Sequence, residues 1–278
     1  MNSVERTLHA VEDAAREIRS AIDHEAARDV GDNPSGETQK AADVQADDVL
    51  REHLGSVDAV GWYASEENSD VVDVGGGEYS VSVDPLDGSS NLESNNIVGS
   101  IVGVYDERPP TSKGAVVGAA YVVYGPRTTV VGARDGTVTE KTLETEETKR
   151  VSLPEPTVYG FGGRRPEWTD GFEAYAAEVE AELKLRYGGA MVGDVNQVLH
   201  KGGVFAYPGL RDRPEGKLRL QFEGVPMAYV VETAGGMSSD GEKALLERDV
   251  EHLHERTPVY LGDTEYVERA ERALSTAR

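Results

Sequence analysis

The stretch Val83-Asp84-Pro85-Leu86-Asp87-Gly88-Ser89-Ser90-Asn91 sets two carboxylates three residues apart and follows them with a glycine and two hydroxyls. An apolar-alternating run leads into Asp84, and Pro85 fixes a turn, so both acids can converge at one strand end. Gly88-Ser89-Ser90 would then offer backbone N–H groups and hydroxyls at a helix start, a place that favours an anion. Cation ligands beside an anion cradle suit a metal-bound phosphate. The same residues would also serve as an Asp-rich surface turn followed by a helix cap.

Further acids stand where they could join the first two. Ser65-Glu66-Glu67 follows the strand-like run Ala59 to Tyr63, so one glutamate could ligate a metal while its neighbour orients water. Glu37, Asp43 and Asp47 lie on or before a helical pattern and would equally fit a solvated face. Glu223 interrupts Leu220-Gln221-Phe222 ahead of Gly224-Val225-Pro226, which predicts a buried acid in need of a partner such as a cation. Without cysteine or a histidine cluster the donors are hard oxygens, which suits Mg2+ or Mn2+ better than zinc. The six histidines lie outside all of these groups; structural or surface roles are expected for them, including the closely spaced His252 and His254.

Positioning such groups requires layered elements. Val4, Leu8, Val11, Ala15, Ile18 and Ile22 recur at helical spacing, with Asn2 and Glu5 placed to cap the start. Residues 31–36 read as a loop, and a second helix is predicted over 38–54 with Ala42, Ala46, Val49 and Leu50 inward. Strands are predicted over 59–63, 79–83, 97–105, 115–124, 128–133 and 137–143, the last two joined through Asp135-Gly136. Residues 144–149 read as a charged connection. Pro154-Glu155-Pro156 is the expected boundary between a domain at 1–155 and one at 156–278. In the second half, strands are predicted over 158–161, 204–207 and 258–261, and helices over 172–183, 226–233 and 264–273. Mixed elements in both halves imply layered α/β or α+β packing.

The chain has 278 residues, enough for about two domains. Its 28 Lys+Arg against 51 Asp+Glu give a net charge of −23, which argues against nucleic acid and anionic membranes as partners. No run approaches the ~20 apolar residues that cross a bilayer, and no secretory h-region opens the chain, so a cytoplasmic location is expected. Charge this far from zero fits an ordinary acidic enzyme or, better, a protein adapted to molar salt, where screening removes the self-repulsion.

Taken together, Asp84 to Asn91, Gly36 to Val44, Ser65-Glu66-Glu67, Arg186-Tyr187, Gly202 to Pro208, Gly216 to Leu220, Pro226 to Val230 and Ala234 to Met237 resemble class I fructose-1,6-bisphosphatases, in that family's order and over most of the chain. The Gly216 to Met237 block is more similar to this family than to inositol monophosphatases. The resemblance implies a layered α-β-α-β-α fold and hydrolysis of the 1-phosphate of fructose 1,6-bisphosphate. By the same resemblance Glu66, Asp84, Asp87, Glu223 and the Leu86 carbonyl would bind roughly two or three Mg2+ ions, with Mn2+ as an alternative. Glu67, Asp43 and Glu37 would serve the attacking water. Gly88, Ser89, Ser90 and Arg219 would hold the 1-phosphate, and Lys217, Tyr187, Tyr207 and Met191 the sugar and 6-phosphate. Arg186 would reach a neighbouring subunit's site, implying a homo-oligomer, a dimer or a tetramer.

The pattern departs from the family at three places. Glu37 stands where aspartate is usual. Tyr159 to Arg165 lacks the usual asparagine and tyrosine contacts to the 6-phosphate, which Arg164 or Arg165 could replace unless they are an exposed basic pair. Glu78 takes the place of an AMP-contacting lysine, and the chain starts near where the family's other AMP contacts would end, so the usual AMP inhibition is not expected. Sedoheptulose 1,7-bisphosphate, inositol phosphates and a broader sugar-phosphate range remain alternative substrates. A catalytically silent metal- and phosphate-binding regulator is the alternative outside enzymes.

Overall fold

The computed structural model describes residues 2–22, 27–34, 36, 38–111 and 114–276. Glu37 therefore lies outside the described residues. Helix α1, Ser3–Ala21, starts where the Asn2 side chain accepts from the Glu5 N–H at 2.8 Å, and α2 spans Ala41–Gly55. Both pack on one face of an eight-stranded sheet through Val11, Ile18, Leu50 and Leu54. The order in that sheet is Glu147–Val151, Thr137–Thr142, Thr128–Arg134, Val116–Tyr124, Val98–Tyr105, Tyr79–Asp87, Val60–Ser65 and Val72–Asp73. All neighbours are antiparallel except Val60–Ser65 and Tyr79–Asp87, which run parallel.

After α3, Asp170–Glu182, two further helices, α4 at Met191–Lys201 and α5 at Val225–Thr233, fill the space between this sheet and a second one. The second sheet has five strands, in the order Lys184–Leu185, Val158–Phe161, Gly203–Tyr207, Val259–Gly262 and Met237–Ser239. Helix α3 and the last helix, α6 at Thr264–Thr276, cover its far side, closing an aromatic cluster of Phe161, Trp168, Phe172, Tyr175 and Tyr260. The layers are thus α-β-α-β-α, as the resemblance implies. Nearly continuous burial of the strands 98–105 and 116–124 follows from helices on both faces of the sheet.

The structure differs from the predicted elements in several places. Residues 31–32 belong to a strand, Asp29–Asp32, paired with Thr38–Lys40, so α2 begins only at Ala41. This exposed hairpin buries too little to leave an apolar signature. Residues 147–149 are likewise an edge strand with a solvent-facing, charged surface, so a charge run hid a strand. Helix α4 was not among the predicted elements, although Met191, Val192, Val195, Val198 and Leu199 have helical spacing. Finally, the strand entering Asp84 does not stop there; it continues to Asp87 across an irregularity in its pairing with Val98–Tyr105.

Candidate active site

That irregularity carries the first pair of acids. Asp84 opposes Ile101 and Asp87 opposes Gly99, so three steps on one strand match two on the other. In a regular strand, residues three apart point to opposite faces; the extra residue of a bulge restores the same face. Ser100 holds the bulge by donating to the Pro85 carbonyl at 2.7 Å. Because Val60–Ser65 runs parallel to Tyr79–Asp87, the residues after Ser65 emerge beside Asp84, and the Glu66 N–H donates to the Val83 carbonyl at 2.9 Å.

Glu223 arrives from the other half of the chain on a five-residue π-helical turn, Leu220–Gly224, that runs into α5. Such turns are uncommon and re-aim side chains. The Arg219 N–H donates to Glu223 Oε2 at 2.6 Å and fixes the carboxylate. Oxygens of Asp84, Asp87 and Glu223 lie within 4.8 Å of one another. The Arg219 guanidinium stands 3.0 Å from Glu66 and 3.8 Å from Glu223. One guanidinium cannot balance four buried carboxylates. Burial and the neighbouring acids push Asp84 well above its ordinary value and Asp87 up to about 7, although Asp87 accepts from the Val192 N–H at 2.7 Å. A hard divalent cation would relieve this repulsion, and the donor set fits one.

Glu67 and Asp43 face the same cavity. Burial, followed by the Asp43 charge, raises Glu67 to about 7; the Gln39 amide donates to it at 2.6 Å. Burial raises Asp43 to about 6 against the Lys40 N–H, which donates at 2.6 Å. Asp43 and Asp47 do not form a solvated face: both are buried.

Gly88 turns the chain at φ +74° into a single 3-10 segment, Ser89–Ser94. The helix start inferred after Gly88 is thus a 3-10 turn, and the anion cradle rests on its local N–H and hydroxyl groups. A Cβ on Gly88 would sit 2.3 Å from the Ala190 Cβ and would also strain the positive φ. Gly88→Ala is therefore expected to lower any phosphate-ester turnover by about 10–100-fold with little change in secondary structure, checked by steady-state kinetics beside circular dichroism.

Among the described residues, every site residue implied by the resemblance except Arg186 lines one cavity of about 440 Å3. Asp43, Glu66, Glu67, Asp84, Leu86, Asp87 and Glu223 line it together with Gly88, Ser89 and Ser90. Tyr187, Met191, Tyr207, Lys217 and Arg219 also line it, with the Lys217 ammonium 5.9 Å from the Tyr207 ring centre. Arg186 is exposed and lines a neighbouring depression with Asn96 and Gln197. Arg164 and Arg165 pair with Glu167 and Glu173 in solvent and do not line the cavity, which matches the exposed basic pair. Sequence reasoning missed Lys40 and Asp194. Lys40 is bound to Asp29 at 2.6 Å and Glu93 at 2.7 Å, tying the 29–40 hairpin to the Ser89–Ser94 segment. Asp194 accepts from the Gly188 and Gly189 N–H groups at 2.6 and 3.2 Å and shapes the loop before α4. An aspartate amid Val192 and Val195 in an unassigned helical pattern was the available signal.

Comparison with known proteins gives the family. Residues 2–152 match the model of the fructose-1,6-bisphosphatase N-terminal domain and residues 153–275 that of its C-terminal domain. The chain belongs to the fructose-1,6-bisphosphatase family. It is 54% identical to the class 1 fructose-1,6-bisphosphatase of Natronomonas pharaonis over 98% of this chain and 99% of that protein. With the Halobacterium salinarum class 1 protein it shares 52% identity over 98% of this chain and 97% of that one. The Leishmania major fructose-1,6-bisphosphatase in holo form superposes with a TM-score of 0.91 at 30% identity, covering 98% of this chain and 94% of that one. Two of these relatives come from halophiles, in keeping with the charge. Among the described residues no helix is long and apolar enough to cross a membrane.

A divalent cation that binds the folded chain alone must stabilise it. At a hundred times its Kd the gain is about 2.7 kcal/mol. For a chain of this size that corresponds to roughly 5 °C or more in the thermal midpoint. Calorimetric scans with Mg2+ against a chelator should show the rise; coincident scans would mean that these carboxylates hold no ion.

Proposed function

We propose that the chain hydrolyses the 1-phosphate of fructose 1,6-bisphosphate, giving fructose 6-phosphate and phosphate, as the name of its relatives indicates. The observation that carries this reading is the convergence of Asp84, Asp87 and Glu223 beside Gly88-Ser89-Ser90. Glu66, Asp84, Asp87, Glu223 and the Leu86 carbonyl are the ligands proposed for Mg2+, or Mn2+, with two or more ions suited to such a set. Bound there, the cations would neutralise phosphoryl charge and lower the pKa of water.

The protein's own groups have separate tasks in this reading. Gly88 N–H and the hydroxyls of Ser89 and Ser90 hold the 1-phosphoryl oxygens, with Arg219 adding positive charge. Glu67, poised near neutrality beside Asp43, accepts a proton from the attacking water. The water oxygen forms the new bond to phosphorus in line with the breaking bond to the sugar O1, which leaves and takes up a proton. Glu37 is proposed to assist, as the resemblance implies. Lys217, Tyr187, Tyr207 and Met191 hold the sugar and its 6-phosphate. Lys217→Ala is expected to raise KM about 10–100-fold with a smaller change in kcat, since a charged hydrogen bond to a remote phosphate contributes about 1.5–3 kcal/mol to binding. Initial rates across a substrate titration check this.

We read 1–155 as the domain with most metal ligands and 156–278 as the sugar-phosphate domain; the family models meet at 152–153 in support. A cytoplasmic homo-oligomer, with Arg186 serving a neighbouring subunit, completes the proposal. The test is phosphate release from fructose 1,6-bisphosphate, sedoheptulose 1,7-bisphosphate and inositol 1-phosphate, with and without Mg2+, in concentrated potassium chloride. Preference for either of the latter two would reassign the substrate; no release from any would leave a binding protein.

A further inference from the structure

Behind the Glu66-Glu67 turn lies a buried polar group that the proposed chemistry does not use. Asp47 stands one helical turn beyond Asp43 on α2, so the two acids share a face. Asp43 lines the cavity. The Asp47 carboxylate, at 6% exposure, accepts from the Tyr63 hydroxyl at 2.7 Å and from the Asn68 side-chain amide at 2.8 Å. Asn68 closes the turn, its N–H donating to the Ser65 carbonyl at 3.1 Å.

The Asn68 main-chain carbonyl is 2.9 Å from His254 Nε2. A carbonyl can only accept, so His254 carries a proton on Nε2. The imidazole packs against Phe222, the neighbour of Glu223, with ring centres 5.3 Å apart. Asn68, in the turn with Glu66 and Glu67, thus touches α2 directly and reaches the Glu223 segment through the His254 ring.

We propose that Asn68 is a positioning residue that fixes the Glu66-Glu67 turn against α2 through Asp47 and against the Glu223 segment through His254. This rests on the reading that these acids serve metal and water. The turn presents two acids to a cluster of like charge, so contacts behind it must hold it against their repulsion. A side-chain amide suits the post because it donates to the buried Asp47 carboxylate. Truncation leaves Asp47 with the Tyr63 hydroxyl and lets the turn yield. Groups that hold metal ligands in place typically set affinity or activity by about 10–100-fold.

The experiment measures Mn2+ binding to the full chain by titration calorimetry in concentrated potassium chloride, together with kcat and KM for fructose 1,6-bisphosphate. Asn68→Ala should weaken Mn2+ binding and lower kcat by about 10–100-fold each. Its KM should stay within about threefold of wild type, because Tyr187, Tyr207 and Lys217 are untouched. The reciprocal pair Asp47→Asn with Asn68→Asp keeps the volume, the charge and one amide-to-carboxylate hydrogen bond, and should return both quantities to within about threefold of wild type. Wild-type affinity and kcat in Asn68→Ala overturn the proposal, as does a reciprocal pair no better than the single variant. If alanine unfolds the chain, His254→Phe, which keeps a ring against Phe222 and removes the donor, carries the same expectation and the same refutation. A wild-type chain that binds Mn2+ but releases no phosphate counts against the proposed reaction, while the affinities still decide the role of Asn68.

Discussion

Asp87→Asn is expected to cut Mg2+-dependent phosphate release by about a thousandfold or more and to make the metal-free protein more stable. Activity falls because a proposed ligand is lost outright, a larger change than the roughly 10–100-fold typical of groups that merely support ligands. Stability moves the other way because Asp87 is buried beside Glu223 and its carboxyl is raised to about 7. An acid raised on folding binds more protons folded than unfolded between its ordinary value and about 7. Its contribution is therefore favourable at low pH and is lost as pH rises through that range. Asparagine keeps an acceptor for the Val192 N–H, now 2.7 Å from Asp87, and removes the charge. At pH 8 in chelator the gain should be on the order of 1–3 kcal/mol, and excess Mg2+ should reverse the order of stabilities. Urea unfolding of wild type and variant between pH 5 and 8 reads both effects. A variant less stable than wild type without metal at every pH would show that Asp87 is a structural acid and not a strained ligand.

Salt is expected to act nearly as strongly. Moving from 0.1 M to 2 M potassium chloride should raise the thermal midpoint by about 10 °C, since the Debye length falls from about 10 Å to below 3 Å. The competing loss is small: exposed pairs such as Arg51 with Asp48 and Arg272 with Glu268 contribute only ~0–1 kcal/mol each. Lys141 and Arg269 already sit between pairs of acids. The surplus of a −23 chain thus has few basic partners left, and screening its self-repulsion should dominate. Scanning calorimetry in graded salt measures the shift; an unchanged midpoint and full activity in dilute buffer would assign the acidity to something other than salt adaptation.

Much of the architecture was legible because burial on one or two faces writes a period into the chain. Helices α1, α3 and α6 and the strands of both sheets carry that period. Among the elements that escaped, the 29–40 hairpin and the 147–151 edge strand bury little, whereas α4 is buried and its helical spacing went unread. An exposed ladder is held by backbone hydrogen bonds, which any residue but proline can make, so its side chains need not alternate.

By itself the sequence determined the chemistry on offer: hard oxygen donors, a Gly-Ser-Ser cradle, no thiols, and an acid excess suited to salt. It also determined that Glu223, set among apolar neighbours, must be buried. Tertiary structure alone decided which acids meet. A bulge put Asp84 and Asp87 on one face, a π-helical turn brought Glu223 to them from more than a hundred residues away, and packing turned Asp47 inward to hold Asn68. The reason is that side-chain type is local, whereas the distance between two carboxylates depends on register and layer packing, which the whole chain fixes together.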